Sequence, residues 1–271
     1  MPLLAVPLGV LVGLALGALG GGGSILTVPG LVYVLGQDPR HATTSSLVIV
    51  GTTALIALVP HARAGRVRFA QGLLFGALGT AGSYAGTALS RSVPPAVLLL
   101  AFAALMLLVA SLMIRRALSS RGAASSLDVT LEPMLTLRPL RCACPRVAKV
   151  VVTATAVGLL TGFFGVGGGF ALVPALVLAL GFPMPTAVGT SLLVIAVNSA
   201  TALAARVTHP ASGLDWPLVA TFTAAAVAAS LVGGRVASRV DPRRLTLTFA
   251  GLLVLVALYT AVRSLAGPGA V

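Results

Sequence analysis

The chain is 271 residues long, 58% hydrophobic and only 8% charged, with a mean hydropathy of +1.07. An ordinary soluble domain carries about 25% charged residues, so a soluble globular protein is excluded, and apolar runs long enough to cross a bilayer recur from end to end. The net charge of +13 would suggest nucleic acid in a soluble protein, but here the basic residues fall between apolar runs, as topology-setting loops do, so no nucleic acid is expected as a partner.

In chain order, the first element covers 3–35. Its start, MPLLAVPLGVLVGLALGALG, has no Lys or Arg ahead of the apolar run, so it is read as membrane domain rather than signal peptide. Four consecutive glycines, Gly20 to Gly23, interrupt it. Helices are predicted next over 41–60, 69–90 and 95–114. A polar stretch, 119–146, reads as a linker, with Cys142 and Cys144 as unpaired loop thiols. No second Cys or His cluster completes a metal site, so neither metal nor cofactor is expected. A second glycine-interrupted segment covers 150–180, and helices are predicted over 185–205, 216–238 and 243–263. Pro39, Pro94, Pro95, Pro185, Pro217 and Pro242 lie at or near helix starts, where proline is tolerated.

The order of elements repeats because the sequence does. At an offset of 145, GLALGALGGGGSILTVPGLVYVLG (13–36) aligns with GLLTGFFGVGGGFALVPALVLALG (158–181). Gly13, Gly17, Gly20, Gly22, Gly23, Pro29 and Gly36 then fall on Gly158, Gly162, Gly165, Gly167, Gly168, Pro174 and Gly181. The same offset carries Ala42, Ser46 and Leu47 onto Ala187, Ser191 and Leu192, and a later match, 86–95 with 234–243, has an offset of 148. The expected fold is an all-α polytopic membrane protein of eight hydrophobic segments. It has two homologous halves, 1–118 and 147–271, around a basic linker at 119–146.

This duplicated unit, each copy opening with a glycine-rich motif and a proline six residues on, resembles the TauE/SafE sulfite-exporter family. The second half carries the likeness best, in GLLTGFFGVGGGFALVP and GTSLLVIAVNS; the first departs from it, with GGGGS and with TTSSL (43–47) where the second has VGTSL (188–192). The resemblance implies an inner-membrane permease for sulfite, organosulfonates or related small anions, and it implies export.

Two readings of the glycines stand side by side. Gly13 with Gly17, and Gly158 with Gly162, have the spacing that lets membrane helices approach closely. Gly20, Gly21, Gly22 and Gly23, and Gly165, Gly167, Gly168 and Gly169, sit where a helix must break, because 3–35 as one helix would be about 50 Å long against a core of about 30 Å. A break in lipid frees backbone N–H groups that need a cavity, water or a ligand. The helix restarting at Ser24 or Gly169 would aim its positive end at that place, which suits an anion.

Charge counts bear on topology. If each broken segment crosses once, the two sides carry 12 and 5 Lys+Arg; if each turns back as a re-entrant hairpin, they carry 13 and 4, with Arg235 left out as lying within a helix. Both arrangements put the linker in the cytoplasm, and the hairpin arrangement, with its inverted repeats, separates charge slightly better.

Thr44, Ser45 and Ser46, and Thr190 and Ser191, open the second helix of each half, as caps or as uncharged donors to an anion. Asn198 lies mid-helix, as interhelical glue or as pore lining; Thr53 is its repeat mate. Arg235 lies about one turn from a helix end and can snorkel. No acidic residue falls within a span, and no nucleophile, base and orienter assemble there, so an enzyme is not expected. The expectation is an alternating-access transporter of a small anion, its partners being that solute and the lipid bilayer. A passive anion channel and a scaffold with packing-only glycines are the alternatives, and oligomeric state is open.

Overall fold

Proline and glycine punctuate the chain. The computed structural model describes residues 2–90, 92–119, 144–164, 169–206 and 215–265; Cys142, Gly165, Gly167, Gly168, the linker from 120 to 143 and most of the loop after Arg206 lie outside them, while Cys144, expected in the loop, is the first residue of a helix. Among the described residues the chain is helical throughout. The first half holds α1 (Pro2–Leu19), α2 (Gly22–Pro29, continued by a π turn, Gly30–Val34), α3 (Pro39–Arg63), α4 (Phe69–Ser90) and α5 (Pro95–Ser119). The second holds α6 (Cys144–Phe164), α7 (Gly169–Pro174, continued by a π turn, Ala175–Ala179), α8 (Met184–Arg206), α9 (Trp216–Arg239) and α10 (Pro242–Leu265). Pro39, Pro95 and Pro242 are first residues of their helices. Asp215 caps α9 by accepting the Leu218 N–H at 3.2 Å.

Both π turns follow a proline, Pro29 or Pro174, which lacks an N–H and crowds the preceding carbonyl. They close alike: Leu35 N–H bonds Gly30 O at 3.2 Å, and its repeat mate Leu180 bonds Ala175 O at 3.3 Å. Each segment then stops at a left-handed glycine, Gly36 (φ +66°) or Gly181 (φ +73°).

The break falls at Gly20, whose φ of +67° is open to glycine at no steric cost. It does not extend over all four glycines, as expected from the sequence. Gly22 and Gly23 are already helical, and α2 folds back along α1 rather than extending it. A Cβ at Gly23 would lie 2.6 Å from both Leu16 Cβ and Val12 O, and one at Gly30 would lie 2.7 Å from Leu8 Cδ2. Later residues of α2 thus face earlier residues of α1, which makes 2–34 a helical hairpin. The absent side chain at Gly23 permits that return, and a Cβ at Gly22 would lie 3.0 Å from Leu252 Cδ2 of α10, so these two glycines serve approach rather than breakage.

The halves interlock. α1 packs on α9 and α6 on α4; α3 meets α8, and α5 meets α10. A Cβ at Gly13 or Gly17 would collide with the backbone of Ala226 or Ser230; one at Gly158 or Gly162 would collide with that of Gly79 or Ser83. The same exchange holds in reverse, Gly233 facing Leu14 O and Gly86 facing Leu159 O. These contacts match at an offset of 145 on α1 and α6 and of 147 on α4 and α9. The helix starts Phe69 with Trp216, and Pro95 with Pro242, also fall at 147, one residue short of the offset read from 86–95.

The interior is partly polar and the outside apolar. Leu16, Phe75, Phe222 and Phe249 fill the core beside buried Ser24, Ser45, Thr190 and Ser191, while Leu11, Leu73, Leu108, Leu255 and Val262 face outward. Large exposed apolar side chains on that scale are natural against hydrocarbon, where polar groups turn inward. Among the described residues five helices, α3, α5, α8, α9 and α10, are long and apolar enough to cross a membrane. α4 is not among them; Gln71, Thr80, Ser83, Tyr84 and five glycines dilute it, and it packs against α6 and α8.

Candidate functional site

The hairpin tip of the first half lands on the start of the second half's α8. A Cβ at Gly20 would run into Ser191 Oγ, with Val188 O 3.2 Å away. The start of the second hairpin's return helix lands in turn on the first hairpin. A Cβ at Gly169 would meet Ser24 Oγ, with Ile195 Cδ1 3.1 Å away. Ser24 and Gly169 are repeat mates at offset 145, and a residue that touches its own mate sits where the two halves exchange. Gly20, Ser24, Gly169 and Ser191 therefore come together at the centre of the molecule.

The hydroxyls there differ in what they can still do. A hydroxyl has one proton to donate. Ser191 gives its proton to Val188 O at 2.8 Å, Ser46 to Thr43 O at 2.9 Å and Ser24 to Gly21 O at 2.7 Å. For these three the cap-like, back-bonded reading holds, and they face a ligand as acceptors. Ser45 is fully buried, and its Oγ has no partner among the described residues. Its repeat mate Thr190, also fully buried, accepts the backbone N–H of Arg68 at 3.2 Å. Thr44 is buried beside them. Gly21 precedes α2 without any side-chain cap, so the first-turn N–H groups of Gly22 and Gly23 receive no side-chain bond from it.

Arg68 was not singled out in the sequence, where it counted only as a loop charge. The segment before α4 docks on the start of α8: Arg66 O lies 2.7 Å from where a Gly189 Cβ would be, and Arg68 bonds Thr190. Nothing in the spacing of Arg63, Arg66 and Arg68 distinguishes the one that turns inward.

Asn198 does not join the central cluster. It lies about two turns along α8 from Thr190 and faces α4, where Thr80 gives its proton to Gly76 O at 2.8 Å with its Oγ1 3.4 Å from Asn198 Oδ1. It lines a cavity of about 200 Å³ between α4, α6 and α8, with Thr80, Ser83, Thr161 and Thr201. Asn198 thus reaches across to α4 and borders the cavity there. Thr53, its mate, is buried and bonds back to Ile49 O at 2.6 Å.

α4 and α8 run in the same direction. Arg68 meets Thr190, Gly72 meets Leu193, Gly76 meets Val197 and Thr80 meets Asn198, in ascending order on both helices.

The chain matches the family described as "Sulfite exporter TauE/SafE" over residues 5–260. It is 33% identical over 259 residues to a "Probable membrane transporter protein" of Xylella fastidiosa (strain 9a5c), covering 94% of this chain and 93% of that one. It is 28% identical over 261 residues to "Probable membrane transporter protein YunE" of Bacillus subtilis (strain 168), covering 93% and 92%. Against "Probable membrane transporter protein MJ0441" of Methanocaldococcus jannaschii it is 23% identical over 274 residues, covering 95% and 96%. No solved structure matches it.

Proposed function

From the premise that the chain belongs to the sulfite exporter TauE/SafE family of multi-pass membrane transporters, we propose that it carries a small anion across the bacterial inner membrane, outward, at the place where the two hairpins meet. The observation that carries this reading is the meeting of the two halves around the first hairpin's turn, Gly20 against Ser191 and Ser24 against its own repeat mate Gly169. Sulfite, organosulfonates and related sulfur-containing anions are the substrates the family name suggests.

The anion would sit against the backbone donors of Gly20–Ser24 and of Gly165–Gly169, with Ser45 as a free hydroxyl donor and Thr44, Ser46, Thr190 and Ser191 around it. Neutral donors hold an anion firmly enough to select it and loosely enough to release it. The two helical hairpins would enter the membrane from opposite sides as inverted repeats, with the linker 119–146 in the cytoplasm. The common direction of α4 and α8 supports this. With single crossings they would run oppositely; with re-entrant hairpins they run together. Alternating access then consists of one half rocking on the other about the Ser24–Gly169 contact.

The test is counterflow in proteoliposomes with sulfite, sulfate, thiosulfate, sulfoacetate, acetate and chloride. Saturable exchange of one class of anion, lost in Gly20→Ala, is expected. Unsaturable flux without counterflow would make the protein a channel, and no flux of any anion would overturn the reading. In detergent, a saturable rise in melting temperature with the same anion is the binding counterpart.

A further inference from the structure

The cavity beside Asn198 is polar in a way the fold does not require. The equivalent place, between α9 of the second half and α1 and α3 of the first, supplies the comparison, because each lining residue has a repeat mate there. Thr161 corresponds to Leu16, Thr80 to Val227, Tyr84 to Leu231, Ser199 to Ala54 and Thr201 to Ile56. Leu16 and Ala54 are fully buried in the core, so the same backbone arrangement closes with apolar side chains. One exchange goes the other way: Leu172 corresponds to Thr27, whose hydroxyl is bound to Gly23 O at 3.0 Å. On the cavity side, by contrast, the Thr161 Oγ1 is buried and has no hydrogen-bond partner among the described residues. A buried hydroxyl left unpaired is unfavourable, and retaining it where leucine fits calls for a ligand.

The walls define that ligand. Thr161, Asn198, Thr80 and Ser83 offer hydroxyl and amide groups, while Phe75 and Val157 are apolar. Among the described residues no Lys, Arg, His, Asp or Glu lines the cavity. A solute with an oxygen-rich head and a short hydrocarbon body fits both faces, and about 200 Å³ suits a handful of heavy atoms. The cavity lies against the later turns of α4 and α8, at the end away from Arg68 and Thr190.

We propose that this cavity, between α4 of the first half and α6 and α8 of the second, is a second solute-binding site off the centre, which takes a small organic oxyanion. Its head is held by Thr161 and Asn198, and its hydrocarbon body lies on Phe75 and Val157. It is a staging site on one side of the central cluster. Binding there does not depend on transport; only the staging role rests on the function proposed above.

The test uses the full chain in lipid nanodiscs with propane-1-sulfonate as probe, read by titration calorimetry, alongside sulfite counterflow in proteoliposomes. The parent protein is expected to bind the probe saturably. Thr161→Val, which removes the hydroxyl and keeps the shape, weakens binding about tenfold or more. Thr161→Leu and Thr201→Ile, which install the residues of the other half, abolish it while leaving the melting temperature of the unliganded protein at or above the parent's. Absence of binding to the parent, or undiminished binding to both filled variants, overturns the proposal. Probe binding lost in the filled variants but without any anion counterflow would leave this site standing and remove the transport reading. Sulfite counterflow without probe binding would do the reverse.

Discussion

The two halves share a backbone and differ in what they put inside it. On α1 and α6 the mates Gly13 and Gly158, and Gly17 and Gly162, do the same work against α9 and α4. On the flanks the halves part, Leu16 filling the space where Thr161 leaves a cavity. Glycines at helix crossings are held by sterics: the neighbouring backbone occupies the place of a Cβ, so neither copy can change alone. Residues lining a space carry no such restriction, and there Thr161, Ser199 and Thr201 stand where their mates are Leu16, Ala54 and Ile56. The repeat thus keeps what packing requires and varies the residues that line the space beside it.

That contrast can be broken by substitution. The largest effect is expected at the crossings. Gly17→Ala or Gly162→Ala forces α1 from Ser230 or α6 from Ser83 and costs about 3 kcal/mol or more, so unfolding in mixed micelles should occur at markedly lower denaturant in both. Equal tolerance of the two variants to denaturant at the parent's level would show that the crossings are not tight.

The central pair gives the next test. Gly169→Ser places two hydroxymethyl groups against each other and should stop counterflow. Adding Ser24→Gly exchanges the pair and should restore most of it, because the contact is made between mates. A double variant as inactive as the single one would show that the two positions are not equivalent.

Gly20→Ala combines a left-handed backbone strain of about 1–2 kcal/mol with a collision at Ser191 Oγ. Ser191→Ala in the same chain relieves the collision only, so a partial recovery of melting temperature and transport is expected. Full recovery would place the whole effect in the side-chain contact. The smallest change is at Gly251, on the exposed side of α10 with no neighbour near its missing Cβ. Gly251→Ala should stabilise by about 0.5–1 kcal/mol through helix propensity and leave transport alone.

Much of the fold was legible along the chain. The helices at 41–60, 69–90, 216–238 and 243–263 lie within α3, α4, α9 and α10 to within three residues at each end, because hydrophobic runs, prolines and capping groups are local signals. The pairing of Pro29 with Pro174 marked two equivalent segments, which carry matching π turns; Gly165, the mate of Gly20, lies outside the described residues. The extent of the break was not legible. Gly22 and Gly23 look like Gly20 in sequence, and only the return of α2 along α1 separates the glycine that turns from the two that allow contact.

What the sequence determined by itself is the membrane class, the duplication, the order of elements and the family, since each rests on composition or on spacing along one chain. The tertiary structure decided which residues meet across 100 positions and more: Ser24 on Gly169, Gly20 on Ser191, Arg68 on Thr190, Thr80 on Asn198. It also decided that the Ser45 and Thr161 hydroxyls are buried without partners among the described residues while those of Ser46 and Ser191 are satisfied. A hydroxyl's availability depends on the carbonyl that the folded chain places within reach of it, and that distance is set by the packing of helices from both halves.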